Sequence, residues 1–152
     1  MKCEGVIRNV IEKECEDYYL GLVDLSQVKN TLVKKYKSLI AEYPRAISIG
    51  VTLPYLTLEE LCTNKKQPYD VTNCQLKSIT SHLSKLIEEN GYQALDMPKS
   101  SKMTDGSRVS FHEAVAHLAD MGRIEGNLLV TPEVGSKVNW GTVLTNAPLL
   151  TC

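Results

Sequence analysis

Apolar residues recur every three to four positions in three segments of the chain, and this spacing predicts amphipathic helices. The first segment covers residues 4–18, the second begins at the capping residue Ser26 and ends at Pro44, and the third covers about residues 70–90. Gly91 follows the third segment, where a residue in the left-handed conformation commonly closes a helix. We therefore expect three helices, of which the third is long.

Two short motifs predict further helix starts. Ser110 and Glu113 have the spacing of a capping box, in which a hydroxyl and a carboxylate each bond to the other residue's backbone amide. Thr57 and Glu60 have the same spacing. The first motif predicts a helix through residue 119, and the second predicts a short helix before an exposed loop.

Runs of β-branched and apolar residues predict the strands. Residues 46–53 are nearly continuous in apolar character and are bounded by prolines, which is typical of a strand buried on both faces. Shorter strands are expected at residues 19–23, 92–95, 128–131 and 140–145. Because helices and strands alternate, we predict an α/β (α+β) fold in one domain over residues 1–152, with helices packed on a mixed sheet.

Composition and charge narrow the function classes without choosing one. The 152 residues have a net charge of −1, which gives no clear signal for a nucleic-acid or membrane partner. No apolar run approaches the roughly 18 residues of a membrane span, and the first ten residues lack the apolar core of a signal peptide. We expect a cytoplasmic protein.

The five cysteines are odd in number and include no C-x-x-C pair. In a reducing compartment they are expected to be free thiols rather than a disulfide framework. Without closely spaced ligands, we predict no metal site and no iron–sulfur cluster within the chain.

Local chemistry alone favours ordinary structural roles. Residues 122–126, with glycine at both ends, follow a predicted helix rather than opening one, so they are interpreted as a helix end and a turn instead of a phosphate-binding loop. His112, in the first helical turn, is interpreted as an exposed histidine. Asp105 is most simply a turn residue, although a loop carboxylic acid over a ligand is the functional alternative.

Three ordered blocks near the C-terminal end carry a family resemblance. The helix ends in Ala119-Asp120-Met121-Gly122-Arg123-Ile124-Glu125-Gly126, residues 128–135 read LLVTPEVG, and residues 143–149 read VLTNAPL. This stretch resembles a segment of epoxyqueuosine reductases and their iron–sulfur relatives, which has the form of a helix, A-G-x-G-W-I-G-K, L-L-x-x-P-E-x-G, and a strand ending L-T-D-x-P-L. Residues 43–50 resemble the early strand of that family.

The resemblance implies a nitroreductase-like fold that holds cobalamin and reduces an organic substrate. It implies cofactor-binding roles for Gly122, Arg123, Gly126, Asn127, Gly135, Ser136 and Asn146. It also implies a proton-donating role for Asp105. In the family, iron–sulfur clusters follow this domain. This sequence stops at Cys152, where the cluster cysteines would begin, so we expect either a separate iron–sulfur electron donor or a longer polypeptide from which this domain is cut.

The sequence also departs from the family pattern, and the departures leave alternatives open. Arg123 replaces the tryptophan, the lysine is lost, and Asn146 replaces the aspartate. One hypothesis is a cobalamin-binding reductase domain, and the other is a non-catalytic relative acting as a ligand-binding, accessory or dimerising module, for instance a homodimer. A flavin protein of the same fold is a third, with no residue support. A bend filled by the side chains of Arg123 or Glu125 would exclude the first.

Overall fold

A computed structural model of the chain describes residues 4–27, 36–53, 68–98, 110–126 and 128–148. The helices are α1 (Glu4–Glu12), α2 (Lys37–Glu42), α3 (Pro68–Glu89) and α4 (Phe111–Leu118), with a 3₁₀ turn at Leu25–Gln27. The strands are β1 (Tyr18–Asp24), β2 (Arg45–Thr52), β3 (Ala94–Asp96), β4 (Arg123–Glu125), β5 (Leu128–Val130) and β6 (Val138–Thr145). The predicted capping box at Thr57 and Glu60 lies outside the described residues.

Four of these strands form a sheet in the order β1-β2-β6-β3, and β4 and β5 form a separate hairpin. The α+β class with a helix-flanked sheet is confirmed. The expectation of a mixed sheet is wrong for the described strands, whose pairs are all antiparallel. The connection from β1 to β2 shows the reason: Leu25 N–H donates to the Pro44 carbonyl at 2.7 Å, so the chain leaves and re-enters at the same end of the sheet.

Alternating side chains of β2 divide the core between the two faces of the sheet. We call the side covered by α1 and α3 the α3 face. Its buried residues are Ile7, Ile11, Ile47, Ile49, Val51, Leu76, Ile79, Leu83, Ile87, Val143 and Ala147. The opposite side, covered by α2 and α4, is the α4 face, and its main cluster is Leu25, Ile40, Ala46, Met97, Phe111, Ala114, Val115 and Leu144.

Helix boundaries follow the predictions in α3 and α4 but not in α1 and α2. The predicted start of the second helix at Ser26 is wrong, because Ser26 lies in the 3₁₀ turn and α2 begins at Lys37. The long helix α3 ends just before Gly91, which has the expected positive φ of 89°. Helix α1 ends at Glu12, because the amides of Glu14 and Cys15 both donate to the Ile11 carbonyl and close the helix there. The predicted extension to residue 18 is therefore wrong, and β1 begins in its place.

His112 is buried, not exposed as the sequence suggested, with 1% of its surface accessible. Its Nε2 lies 2.8 Å from the Pro98 carbonyl, and its Nδ1 lies 2.9 Å from Thr142 Oγ1. Because a carbonyl can only accept, Nε2 carries the proton, and in the neutral ring Nδ1 accepts from the threonine hydroxyl. The histidine thus joins α4 to β6 and to the end of the β3 segment.

Candidate ligand-binding cavity

The capping box at the start of α4 positions the elements that follow it. Ser110 Oγ accepts a hydrogen bond from the Glu113 amide at 3.2 Å and donates to Glu113 Oε1 at 3.2 Å. The other carboxylate oxygen, Oε2, accepts from the Leu129 amide at 2.8 Å. Ser110 therefore caps the helix through its hydroxyl, and the Glu113 carboxylate links that hydroxyl to the backbone of β5.

A tight bend, residues 119–122, connects α4 to β4. Asp120 has a positive φ of 63°, the left-handed conformation that closes a helix. A Cβ on Gly122 would lie 2.7 Å from the Val130 carbonyl oxygen, so only glycine lets the bend approach β5 this closely. His117 Nδ1 donates to the Gly122 carbonyl at 3.1 Å, and this bond fixes the bend against the last turn of the helix.

The segment after the bend is a strand, and its prediction as a plain turn is wrong. Arg123 pairs with Val130 and Glu125 pairs with Leu128 in the β4–β5 hairpin. Ile124 between them is partly buried, while Arg123 and Glu125 are exposed. This polar-apolar-polar alternation ahead of a glycine was the available signal for a short hairpin strand.

A cavity of about 530 Å³ opens between this bend and the turn that follows β5. Its wall is contributed by two separate segments of the chain. The lining residues are Asp120, Met121, Gly122, Arg123, Val130, Thr131, Pro132 and Gly135. The volume lies within the range of about 300–1,000 Å³ that is typical of small-molecule and cofactor sites.

The charged side chains of the hairpin do not fill the bend. Arg123 Nε and Glu125 Oε1 form an ion pair at 2.7 Å, with side chains that are 75% and 52% exposed. Such an exposed pair adds little stability, but it keeps both charges in solvent at the cavity rim. The burial of charge that would have excluded a ligand here is not observed.

The opposite wall of the cavity is the turn at residues 131–135, which we call the far turn, and it is hydrogen-bonded to the edge strand β1 of the sheet. Thr131 and Gly135 exchange backbone hydrogen bonds, and Thr131 Oγ1 also donates to the Gly135 carbonyl at 2.9 Å. From β1, the Tyr19 hydroxyl donates to Glu133 Oε2 at 2.9 Å and lies 3.4 Å from Thr131 Oγ1. Burial raises the pKa of Tyr19, so its hydroxyl remains a hydrogen-bond donor at neutral pH.

The site residues named from the sequence, apart from Asn146, divide into three groups. Gly122, Arg123 and Gly135 line the cavity. Gly126 closes the hairpin with a positive φ of 64°, and Ser136 is exposed just after the far turn. Asp105 and Asn127 lie outside the described residues.

Asn146 lies apart from the other candidates, beyond the opposite end of β6. The eight residues of that strand separate it from the far turn by about 23 Å. Its Oδ1 accepts from the Gln93 amide at 2.9 Å, and its own amide donates to the Gln93 carbonyl at 3.3 Å. Asn146 therefore joins the entrance of β3 to the end of β6.

Sequence reasoning missed much of the apolar wall. Met121, Val130 and Pro132 line the cavity, but each looks like an ordinary core or turn residue in the sequence. They stand beside or within the blocks that carry the resemblance, and only the folded arrangement brings the two blocks face to face.

Comparison with protein-family models finds no match, and comparison with curated proteins finds none. Solved structures do match. The structure of epoxyqueuosine reductase from Streptococcus thermophilus superposes with a TM-score of 0.61 at 18% identity, over 97% of this chain and 46% of that one. The chain has the fold of part of an epoxyqueuosine reductase.

Two further structures give the same picture. An epoxyqueuosine reductase with an epoxyqueuosine-modified tRNA-Tyr stem loop has a TM-score of 0.59 at 15% identity, covering 95% of this chain and 45% of that one. The enzyme from Bacillus subtilis, with its catalytic loop swung out of the active site, has a TM-score of 0.57 at 16% identity, with coverages of 95% and 45%. The chain thus spans less than half the length of these structures.

Neither a metal-binding cluster nor a membrane-spanning helix is observed in the part of the chain that the structure describes. No cluster of three or more His, Cys, Asp or Glu side chains there could hold a metal ion. None of the helices there has both the length and the apolar character that a membrane span needs.

Proposed function

We propose that this chain is an epoxyqueuosine reductase-like domain that binds cobalamin at the cavity between the bend and the far turn, for use in a reductive reaction. One observation carries the proposal. The bend that the resemblance named as the cofactor site borders an open cavity, and Gly122, Arg123 and Gly135 all line it.

The residues that line the cavity are suited to a flat, largely neutral ligand. Met121, Val130 and Pro132 offer apolar surface, and the glycines at positions 122 and 135 leave main chain uncovered. A ring could therefore approach the backbone closely. The cavity volume accommodates an edge or one face of a macrocycle rather than a whole cobalamin, so the ligand would remain partly in solvent.

In this proposal the residues named from the resemblance have different roles. Gly122 and Gly135 contact the ring, and Arg123 stands at the rim beside polar ring substituents. The far turn, with Ser136 at its margin, limits movement of the ligand, and Gly126 closes the hairpin that carries Arg123. A bound corrinoid supplies low-potential reducing chemistry at its cobalt. Asp105 is proposed as the proton donor, and a separate iron–sulfur protein as the electron source.

The decisive experiment is a titration of the purified chain with aquocobalamin, followed by its visible absorption spectrum and by retention on a desalting column. We expect a shifted corrinoid band and retention of about one equivalent. Absence of retention at tens of micromolar, which corresponds to a binding free energy weaker than about −6 kcal/mol, would contradict cobalamin binding. That result would favour the non-catalytic relative, for which an accessory or homodimeric role remains.

A matched pair of variants tests the location of binding. Pro132→Trp places an indole in the cavity from an exposed position and is expected to abolish retention. Lys85→Trp adds the same side chain at an exposed position of α3, across the sheet, and is expected to bind as the unmodified chain does. Equal retention by both variants would place the ligand elsewhere.

A further inference from the structure

Met121, which lines the cavity, packs against a glycine of β1 that does not line it. Gly21 faces α4, and a Cβ at this position would lie 2.7 Å from the Ala119 Cβ, 2.8 Å from the Met121 Cε and 3.1 Å from the Met121 Sδ. These separations are shorter than ordinary van der Waals contact. The bend therefore rests directly on the bare backbone of β1.

The backbone beside Gly21 has little freedom to retreat. The Ala119 amide donates to the Val115 carbonyl at 2.9 Å, and the Met121 amide donates to the Ala116 carbonyl at 3.1 Å. The Met121 side chain, in contrast, has three rotatable bonds and an adaptable thioether end. Because Met121 also lines the cavity, the cavity is the space into which its displaced end would move.

We propose that Gly21 determines the depth of the cavity, and hence which ligands it admits, by leaving the room against the sheet that Met121 occupies. The inference rests on the proposed function for the identity of the ligand, and on the contacts of Gly21 for the mechanism. A side chain at position 21 would lift Met121 into the cavity and close it to the edge of a flat ring, without touching the ligand.

A second strand glycine provides a matched control. Gly141 in β6 faces the other side of the sheet, where an added Cβ would lie 3.2 Å from the Leu76 Cδ2 of α3. Gly21→Ala and Gly141→Ala thus add the same methyl group to neighbouring parts of one sheet, but only the first pushes toward the cavity.

The test combines aquocobalamin titration with crystal structures of the variants. We expect Gly21→Ala to bind about tenfold more weakly or worse, with Met121 displaced into the cavity, and Gly141→Ala to bind as the unmodified chain does. The triple variant Gly21→Ala/Ala119→Gly/Met121→Ala removes both side chains that the added Cβ would meet, and it should recover most of the lost affinity. If Gly21→Ala alone does not fold, better folding of the triple variant than of Gly21→Ala/Ala119→Gly supports the same conclusion, and equal folding of these two variants contradicts it.

The structural measurement separates this inference from the proposed function. An unmodified chain that binds no cobalamin would overturn the proposed function, while displacement of Met121 in the Gly21→Ala crystal structure would still support the role of Gly21. An unmoved Met121, or equal weakening of binding by Gly141→Ala, would overturn the role of Gly21 even if cobalamin binds.

Discussion

Strand β2 presents side chains of different size and polarity to the two faces of the central sheet. On the α3 face, β2 contributes Ile47, Ile49 and Val51, which pack against the long helix. On the α4 face, the same strand contributes Ala46, Ser48 and Gly50. On this strand the first face is covered by aliphatic side chains, whereas on the second the space above Gly50 is filled by the side chains of Trp140 and Val138 from β6.

The α4 face also holds the buried histidine and the glycine of β1. His112 is held there between Thr142 and Pro98, and Gly21 lies under the bend that borders the cavity. In the described part of the chain, the cluster on the α3 face consists of eleven buried residues, all of them aliphatic.

The largest expected effect is on the α3 face. Ile49 is fully buried between α3 and the neighbouring strands, so Ile49→Ala removes buried volume and leaves a cavity. We expect the free energy of unfolding to fall by about 3 kcal/mol. Urea denaturation followed by far-ultraviolet circular dichroism measures the change.

Ser48→Ala is the control for that experiment, one residue away on the opposite face. The Ser48 hydroxyl is buried and has no hydrogen-bond partner in the described structure, so its removal relieves a desolvation penalty. The free energy of unfolding should rise or stay the same, within about 1 kcal/mol. A loss as large as that of Ile49→Ala would break the contrast between the faces.

An intermediate effect is expected for the buried histidine. His112→Ala leaves the Thr142 hydroxyl and the Pro98 carbonyl without these bonds, which should cost about 2 kcal/mol in the same denaturation assay. His112→Asn can still bond at the position of Nδ1, so it should lose less. Equal stability of His112→Ala and the unmodified chain would show that these bonds contribute nothing.

The smallest effect concerns the bend. Asp120 adopts a left-handed conformation, which glycine adopts without a steric cost. Asp120→Gly should raise the free energy of unfolding by roughly 0.5 kcal/mol, and Asp120→Ala should lower it by a similar amount. The measurement is the thermal unfolding midpoint, which should be highest with glycine, intermediate with aspartate and lowest with alanine at position 120. Any other order would contradict a left-handed conformation at this position.

Local sequence signals predicted the elements well where capping and breaking residues are nearby. The prolines around β2, the serine and glutamate of the α4 capping box and Gly91 after α3 each act within a few residues. The antiparallel pairing and the burial of His112 depend instead on distant partners, such as the Leu25–Pro44 hydrogen bond and the Thr142 hydroxyl. No local pattern contains that information.

The candidate site, too, could be predicted only in part. Gly122 and Gly135 could be named because they lie in blocks with a family resemblance, and both line the cavity. Asn146 belonged to the same blocks but lies at the far end of β6, since adjacency in a motif does not make residues adjacent in space. Gly21 could not be named, because a glycine in a short strand has no distinguishing signal before its neighbours are known.

The carboxylate of Glu113 couples the β4–β5 hairpin, which borders the cavity, to the start of α4. It is shared between the first turn of α4 and the Leu129 amide, so the hairpin and the helix are fastened by one group. Opening of the hairpin away from the helix must break that fastening. A molecule that holds the hairpin in place would therefore also protect the first turn of α4 from fraying, at the other end of the helix from the bend.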